Sequence, residues 1–192
     1  MLPGDYLAGK MTGVWGTTAS GLSEGILWDF LEEQPANLLL DYYGIDESLL
    51  PEILPTFGNQ GAVTAEVAEE LGISAGVPVS YRAGDQPNNA LSLNVLQPGQ
   101  IAATGGTSGV VYGVGNKPIS DFEGRINTFL HVNHTRSAPR MGALLCINGA
   151  GIQYNWIRKF SNGEALSYEQ MSRAAEQVPI GSEGLSVLPF GN

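Results

Sequence analysis

Residues Gly99 to Gly109 read Gly-Gln-Ile-Ala-Ala-Thr-Gly-Gly-Thr-Ser-Gly, a short apolar run followed by a glycine-rich turn. The run from Ile101 to Thr104 predicts a strand, and the run from Val110 to Val114 predicts a second one. Further along the chain, similar patterns predict strands over residues 126–132, 141–147 and 185–188 and helices over residues 149–160 and 168–178. Consecutive short strands followed by helices are typical of a mixed-sheet α/β fold, which we expect to begin near residue 96.

The chain before this stretch is predicted to be mainly helical or irregular. Three segments with apolar residues on one side are each followed by a glycine, which predicts helix ends at Gly13, Gly44 and Gly72. A strand is expected over residues 79–85. It should lead directly into a helix whose N-cap is Asp85.

The length of 192 residues suits one large or two small domains. The segment Leu96-Gln-Pro-Gly-Gln100 combines proline and glycine between two patterned regions, so it is the best candidate for a domain joint. We therefore predict one domain over residues 1–95 and a second over residues 96–192.

The composition excludes several classes of function. Nineteen acidic residues against nine basic ones give a formal charge of −10, which would repel nucleic acid and anionic membranes. A hydrophobic share of 43% allows a sizeable core, and no apolar run is long enough to span a membrane. A single cysteine and two histidines make a multi-cysteine or histidine-rich metal site improbable and suit a reducing compartment, so we expect a soluble cytoplasmic protein.

The glycine-rich turn over residues 104–109 has two interpretations. Glycines let backbone N–H groups approach an anion, and the hydroxyls of Thr107 and Ser108 could add hydrogen bonds, so the turn could hold the phosphates of a nucleotide. The alternative is an ordinary tight hairpin. A lysine-containing phosphate loop and a dinucleotide fingerprint are both excluded, because no Gly-Lys pair follows and the next element is a strand.

Asp85 is the second candidate. A carboxylate at the end of a strand and the start of a helix lies where ligands collect in α/β folds, and it could act as a general base toward a hydroxyl group. The alternative is simple helix capping. The neighbouring Gln86 could donate and accept hydrogen bonds with a polyol.

The segment Asn-Gly-Ala-Gly-Ile-Gln over residues 148–153 is the third candidate. Small residues at a helix entrance leave room for a flat ring or a phosphate near the helix N-terminus. The alternative is close packing of the helix on the sheet. The two histidines, His131 and His134, are interpreted as structural because no ligand partner is evident near them in the sequence.

Taken together, these segments resemble the FGGY carbohydrate kinases. The resemblance rests on four motifs in order: Leu-Pro-x-Asp-Tyr-Leu-x-x-x-Met-Thr-Gly (residues 2–13), Ala-Gly-Asp-Gln (83–86), the stretch at 99–109, and Asn-Gly-Ala-Gly-Ile-Gln-Tyr-Asn-Trp (148–156). Within that family the chain looks most like the kinases that act on xylulose. The motifs are distributed over essentially the whole chain, so together they are far more specific than any one of them.

The resemblance implies a partial actin-like ATPase fold, related to that of ribonuclease H. Residues 1–95 would be the end of the sugar-binding domain and residues 96–192 the start of the ATP-binding domain, which close over a sugar and ATP. The family passes the γ-phosphate of ATP to a sugar hydroxyl with Mg²⁺ present, which implies D-xylulose as substrate and D-xylulose 5-phosphate as product. The runner-up is a non-catalytic module that binds sugar or nucleotide.

The resemblance also assigns individual residues. It implies that Asp85 is the general base and that Gln86 contacts the sugar. The ATP contacts that it implies are Gly106, Thr107, Ser108, Gly109, Gly149 and Gln153.

The chain departs from the family in two respects. Residues 16–22 read Gly-Thr-Thr-Ala-Ser-Gly-Leu where an Asp-rich stretch is expected, so the reaction class is better supported than the sugar. The first phosphate motif, the sugar-contacting part of the N-terminal half and the C-terminal adenosine motif have no counterpart, so we expect a central piece of a kinase that is incomplete for activity. Sheet edges that lack their neighbours should be apolar and favour association, for example as a homodimer.

Overall fold

The first helix, α1 (Pro3–Thr12), forms where the sequence predicts it. Pro3 occupies the first turn, where its missing N–H costs nothing, and the Asp5 carboxylate accepts a hydrogen bond from the Leu2 N–H at 3.1 Å. Gly13 ends the helix with φ of 74°, a left-handed conformation that favours glycine. Local sequence alone therefore accounts for both ends of α1.

The computed structural model describes residues 1–160 and 166–190. The remaining helices are α2 (Ala19–Glu24), α3 (Asn37–Tyr43), α4 (Ala65–Leu71), α5 (Asp85–Ser92), α6 (Gly151–Phe160) and α7 (Tyr168–Ala175). The strands are β1 (Gly16–Thr18), β2 (Trp28–Asp29), β3 (Gln34–Pro35), β4 (Glu52–Leu54), β5 (Ile101–Gly105), β6 (Gly109–Gly115), β7 (Ile126–Leu130) and β8 (Met141–Ile147). Short 3-10 helices lie at Glu47–Leu49 and Ser182–Gly184.

The strands form three sheets. β1 pairs parallel with β4, with Thr17 opposite Ile53, and β2 pairs antiparallel with β3. The other four strands form one sheet in the order β5-β6-β8-β7. The mixed α/β content that the sequence predicts is confirmed, as are its helix ends at Gly13, Gly44 and Gly72.

Two strand predictions are wrong. Residues 79–85 form only one isolated bridge, between Tyr81 and Phe57, and the preceding Pro78 forms another with Ala62. The opposing segment contains Gly61 with φ of 106°, and Pro78 has no N–H to donate, so a regular ladder cannot continue there. Residues 185–188 belong to no strand. An apolar run alone does not make a strand where no neighbouring strand pairs with it.

The chain divides into two compact units with different limits from the predicted domains. The first unit comprises Met1–Ala102 and Tyr112–Leu144, and the second comprises Ala103–Val111 and Leu145–Asn192. The predicted division after residue 95 concerns the domains of a kinase and stays a prediction.

In the first unit, helix α2 packs against strand β7, which lies at one edge of the four-stranded sheet. The Ser20 hydroxyl donates to the Leu130 carbonyl at 3.0 Å, and the Leu130 N–H donates to the Ser23 hydroxyl at 2.9 Å. All three residues are buried. The two serines therefore satisfy backbone groups at the end of an edge strand, which would otherwise be open to pairing with another chain.

A polar pair lies within the core of the first unit. The Tyr112 hydroxyl and His131 Nδ1 are 3.0 Å apart, and both residues are 1% exposed. Burial lowers the pKa of His131 to about 4, so the ring is neutral near pH 7. Gly142 packs against the Tyr112 ring so closely that a Cβ would overlap it. The interpretation of His131 as structural agrees with this environment.

The second unit has a different character. Every buried apolar side chain in the described part of the protein belongs to the first unit. The second unit instead exposes large apolar side chains on α6, α7 and the residues after them, including Trp156, Phe160, Ile180 and Phe190. Within the described ranges 1–160 and 166–190, no helix has the length and apolar character needed to cross a membrane.

Candidate functional site

Asp85 is the first residue of α5, but it is not the cap of this helix. The N-cap is Gly84, and no side chain caps the helix. The Asp85 carboxylate is exposed and accepts a hydrogen bond from Gln86 Nε2 at 3.1 Å. The capping interpretation of Asp85 is therefore wrong, which leaves the carboxylate available to a ligand.

Asp85 lines a cavity of about 370 Å³ within the first unit. The cavity lies among the start of α1, the helix α2 and the segment that leads into α5. Its lining residues are Leu2, Pro3, Gly4, Asp5, Thr18, Gly21, Glu24, Arg82, Ala83, Gly84 and Asp85. This volume falls in the range of small-molecule sites in proteins.

Arg82 and Asp5 form a buried ion pair at the wall of this cavity. Arg82 Nη1 lies 3.7 Å from Asp5 Oδ1, and the two side chains are 10% and 5% exposed. Asp5 Oδ2 also accepts hydrogen bonds from the Thr17 hydroxyl at 2.9 Å and from the Leu2 N–H. Asp5 is therefore held firmly between α1 and β1, and it fixes one edge of the Arg82 guanidinium group.

Glu24, at the end of α2, is a site residue that the sequence did not reveal. Its carboxylate packs on Gly84 so closely that a Cβ at residue 84 would overlap it. Burial, together with the nearby charges of Asp85 and Asp5, raises the pKa of Glu24 to about 7, against a hydrogen bond from the Gly84 N–H that lowers it. No motif marks Glu24, since only the tertiary fold brings α2 to the Gly-Asp segment.

The glycine-rich turn lies in the second unit and connects β5 to β6. The Gly106 N–H donates to the Ser108 carbonyl at 2.9 Å and the turn joins two neighbouring strands as a hairpin, while its binding of phosphate stays a prediction. The first N–H groups of α6, at Gly151 and Ile152, donate to the carbonyls of Gly106 and Thr107 at 3.0 and 3.1 Å. The structure thus brings the turn and the start of α6 together, as two of the predicted nucleotide segments.

The packing of the protein does not require glycine at residues 105 and 106. A Cβ at Gly105 would meet no atom within 4 Å, and one at Gly106 would meet only the Ser108 carbonyl at 3.7 Å. Neither residue has a positive φ. Neither sterics nor backbone conformation demands glycine here, so the face of the turn at these two residues is open.

Gly149 and Gln153, the other predicted nucleotide contacts, bind the end of the described chain. The Gly149 N–H donates to the Pro189 carbonyl at 2.8 Å, and Gln153 Nε2 donates to the Leu188 carbonyl at 3.1 Å. A Cβ at Gly149 would lie 2.6 Å from the Pro189 carbonyl carbon. Gly149 therefore packs closely against Pro189, whereas the close packing of the helix on the sheet and the nucleotide contacts of this segment stay predictions.

No metal centre is evident among the residues that the structure describes, since no three His, Cys, Asp or Glu side chains come together there. His134 Nε2 lies 3.6 Å from Glu33 Oε1, and burial, opposed by the Glu33 charge, lowers the pKa of His134. Its Nδ1 accepts a hydrogen bond from the Arg140 N–H at 3.2 Å. This histidine has protein partners on both ring nitrogens, in agreement with a structural role.

Comparison with known proteins gives a consistent family. Residues 1–92 match the N-terminal domain of the FGGY family of carbohydrate kinases. A xylulose kinase of Lactococcus lactis is 32% identical over 192 residues, which cover 99% of this chain and 37% of the relative. A gluconokinase of Bacillus licheniformis is 30% identical over 158 residues, which cover 77% of this chain and 29% of that relative.

Solved structures agree with this relationship. The crystal structure of the xylulose kinase from Rhodospirillum rubrum matches 97% of this chain and 37% of its own chain, with a TM-score of 0.81 and 28% identity. The predicted actin-like ATPase fold, in part, is thereby confirmed. The chain spans about 37% of the length of the xylulose kinases that it matches. It belongs to the FGGY family of carbohydrate kinases.

Proposed function

We propose that this chain carries the general base and part of the ATP site of a kinase that phosphorylates a sugar hydroxyl, with D-xylulose as the favoured substrate and D-xylulose 5-phosphate as product. The similarity to a xylulose kinase over 99% of the chain supports this substrate. The gluconokinase relative makes an aldonic acid the main competitor.

The observation that carries the proposal is the state of Asp85. Its carboxylate is exposed, it caps no helix, and it lines a cavity of about 370 Å³. A general base must reach the proton that it removes, and Asp85 meets this condition. In the proposed reaction Asp85 accepts the proton of the attacking sugar hydroxyl, whose oxygen forms a bond to the γ-phosphorus as the bond to the β-phosphate oxygen breaks. The Gln86 amide, beside it, would orient a neighbouring hydroxyl.

The ATP contacts are proposed for the second unit. Gly106, Thr107, Ser108 and Gly109 form the turn, and the open face of Gly106 suits the close approach of a phosphate group. Gly149 and Gln153 are proposed to contact the nucleotide on the basis of the family resemblance, and these contacts would replace their hydrogen bonds to the carbonyls of Pro189 and Leu188. Mg²⁺ would arrive bound to the phosphates of ATP, and no step is assigned to it through residues of this chain.

We also propose that residues 1–95 belong to the sugar-binding domain and residues 96–192 to the ATP-binding domain. The family match, which ends at residue 92, supports this division.

The test is transfer of phosphate from ATP to D-xylulose with Mg²⁺ present, measured for these 192 residues within a chain of the full length of the related kinases and for its Asp85→Asn variant, because the chain alone spans about 37% of those kinases. Loss of the base should lower kcat by about 10²- to 10⁴-fold and leave the KM for ATP nearly unchanged. The matched control is Asp41→Asn, which changes an exposed carboxylate on α3 outside the cavity.

Two results would contradict the proposal. Turnover that survives Asp85→Asn would remove the assigned base. Binding of D-xylulose and ATP without turnover, at affinities that Asp85→Asn does not change, would instead identify a non-catalytic binding module.

A further inference from the structure

The carboxyl group of Glu24 lies against the backbone of the residue that precedes Asp85. The three atoms nearest to a Cβ built on Gly84 are the two oxygens and the carboxyl carbon of Glu24, and all three would overlap it. The Gly84 N–H donates a hydrogen bond to the same carboxyl group. The end of α2 is thereby joined to the start of α5 through a side chain and a backbone group.

Glu24 also accounts for the small residue at position 84. Gly84 has φ of −67° and ψ of 171°, an extended conformation that any residue adopts, so its backbone does not require glycine. A glycine also allows another group to approach the backbone closely, and here that group is the Glu24 carboxyl. The two residues therefore form a matched pair, because a side chain at residue 84 and the carboxyl group in its present position exclude each other.

The contact bears on Asp85 because the backbone at Gly84 determines how Asp85 is oriented. Gly84 is the N-cap of α5, and its carbonyl accepts a hydrogen bond from the Asn88 N–H at 3.1 Å. Asp85 is the next residue, and its carboxylate is exposed. The direction of this carboxylate thus depends on a residue whose N–H side is held by Glu24 and whose carbonyl side is held by α5.

We propose that Glu24 is a positioning residue for the reaction: its carboxyl group holds the Gly84 backbone and thereby fixes the direction in which Asp85 meets a sugar hydroxyl. Glu24 itself touches neither the sugar nor ATP in this role. The inference rests on the proposed kinase function, in which Asp85 is the general base. A base must lie within hydrogen-bond reach of the proton that it removes, and a displacement of about 1 Å can lower the rate about 100-fold.

The strength of this contact should depend on pH. An N–H donates a stronger hydrogen bond to an ionised carboxylate than to a neutral carboxyl group. Burial and the charges of Asp85 and Asp5 raise the pKa of Glu24 to about 7, against the Gly84 hydrogen bond, which lowers it. The titratable and charged groups that face Glu24 from α1, from α5 and the segment before it, and from β6 are Asp5, Tyr81, Arg82, Asp85 and Tyr112. Glu24 should therefore hold Gly84 more firmly as the pH rises through 7.

NMR of the 192-residue chain tests the contact itself. The Gly84 amide signal should move with a midpoint near pH 7, because the carboxyl group that accepts its hydrogen bond ionises there. Glu24→Gln should abolish this movement, since the glutamine side chain retains an oxygen acceptor but does not titrate. Glu70→Gln, at an exposed carboxylate on α4, is the matched control and should leave the movement unchanged.

Kinetics test the effect on Asp85, with these 192 residues within a chain of the full length of the related kinases. Glutamine mimics the protonated form of Glu24, so the wild type and Glu24→Gln should have the same kcat near pH 5.5. Near pH 8 the wild type should be about two- to tenfold faster. Glu24→Ala removes the contact and should lower kcat by about 10- to 100-fold at pH 8 with the KM for ATP unchanged. Glu70→Ala should match the wild type.

A double-mutant cycle tests the pairing of Glu24 with Gly84. Gly84→Ala should lower kcat by about 100-fold, because its Cβ would displace the carboxyl group or the backbone. In the Glu24→Ala background the same substitution should cost no more than about threefold. Gly113→Ala is the control glycine, since its Cβ would meet only Ile101 Cγ1 at 3.9 Å. The backbone spectrum of each variant checks that it is folded.

Three results would overturn the inference. The first is a Gly84 amide signal that does not move near pH 7, or that moves equally in Glu24→Gln. The second is a ratio of wild-type to Glu24→Gln kcat that is the same at pH 5.5 and pH 8. The third is additive effects of Glu24→Ala and Gly84→Ala.

Failure of the kinase proposal would look different. Turnover that survives Asp85→Asn, with a Gly84 amide that titrates as expected, would remove the assigned base and keep the contact between Glu24 and Gly84. Any of the three contrary results above, with turnover that Asp85→Asn abolishes, would remove only the positioning role of Glu24.

Discussion

The two compact units differ in what stabilises them. The first unit buries an apolar core that includes Leu22, Leu40, Leu130 and Met141, and it holds Asp5 and Arg82 in fixed positions at the wall of a cavity. The second unit buries no apolar side chain among the described residues. Its glycine-rich turn accepts backbone hydrogen bonds from the start of α6, and residues 188–189 accept hydrogen bonds from the Gly149 N–H and the Gln153 side chain. Apolar burial is the main favourable term in folding. A core therefore preorganises the residues proposed to bind the sugar, whereas the residues proposed to bind the nucleotide have no such core among the described residues.

The largest change in the free energy of unfolding is expected when a leucine of the first unit is shortened to alanine. The same substitution at a leucine of the second unit should have little effect. Leu130→Ala, at a residue that is 1% exposed, should lower the free energy of unfolding by about 2–5 kcal/mol. Leu185→Ala, at a residue of the second unit that is 76% exposed, should change it by less than about 0.5 kcal/mol. Urea unfolding with unchanged m-values measures both. Equal effects would show that the two units do not differ in the way described.

Protonation of His131 should give the next largest change in the free energy of unfolding. Its pKa falls from 6.5 to about 4 on folding, so its contribution is fully present above pH 6.5 and is lost as the pH falls toward about 4. The loss should be on the order of 2–3 kcal/mol. The variant His131→Gln should be less stable at pH 7 but lack this acid-dependent loss, as urea midpoints at pH 7, 5.5 and 4 would show. A variant with the same pH slope as the wild type would contradict the assignment to His131.

Overpacking beside Tyr112 tests how tightly the core of the first unit is filled. Gly142→Ala places a Cβ within the volume of the Tyr112 ring, so we expect a loss of about 1–3 kcal/mol. Gly4→Ala, at a helical position with no atom within 4 Å of the added Cβ, is the control and should be neutral or slightly stabilising. Thermal unfolding compares the two variants. If both variants unfold at the same temperature, the contact between Gly142 and Tyr112 is loose.

Ionisation of Glu24 should give the smallest change in the free energy of unfolding, and the pH dependence of this change should be opposite in sign to that of His131. Its pKa rises from 4.5 to about 7 on folding, so the folded state binds the proton more tightly and stability declines as the pH rises through this range. The charges that face it are those of Asp5, Arg82 and Asp85. Because the group is partly exposed, the decline should be only about 1 kcal/mol.

Glu24→Gln should remove this decline, and Glu70→Gln should retain it. Between pH 4.5 and 6.5 the contributions of Glu24 and His131 oppose each other, so the two variants should tilt the stability curve in opposite directions. Urea midpoints across this range measure both slopes. A Glu24→Gln curve that is parallel to the wild type would show that the Glu24 carboxyl is not buried in solution.

Local signals account for the parts of the fold that the sequence predicted well. Gly13, Gly44 and Gly72 end helices because a left-handed residue follows the last turn, and that requirement is readable from neighbouring residues. The strand predictions at 79–85 and 185–188 were wrong because a strand depends on a partner that is distant in sequence.

In the candidate site, too, the features that depend on neighbouring residues were predictable and those that depend on distant residues were not. The Gly-Asp pair at residues 84–85 and the glycine-rich turn are contiguous, so the sequence could point to them. Glu24 and Arg82 are separated by 58 positions in the numbering and carry no motif, yet they line one cavity. Their pairing could not be predicted, since it arises only when α2 packs against the segment that leads into α5.

By itself, the sequence determined the family, the ends of three helices, and the position of Asp85 and the glycine-rich turn along the chain. These properties depend on local backbone preferences and on short motifs. The tertiary structure decided that Asp85 caps no helix, that Gly84 makes room for the Glu24 carboxylate, and that Arg82 shares a cavity with both. The physical reason is that burial and charge proximity depend on contacts between distant segments, which exist only once the chain has folded.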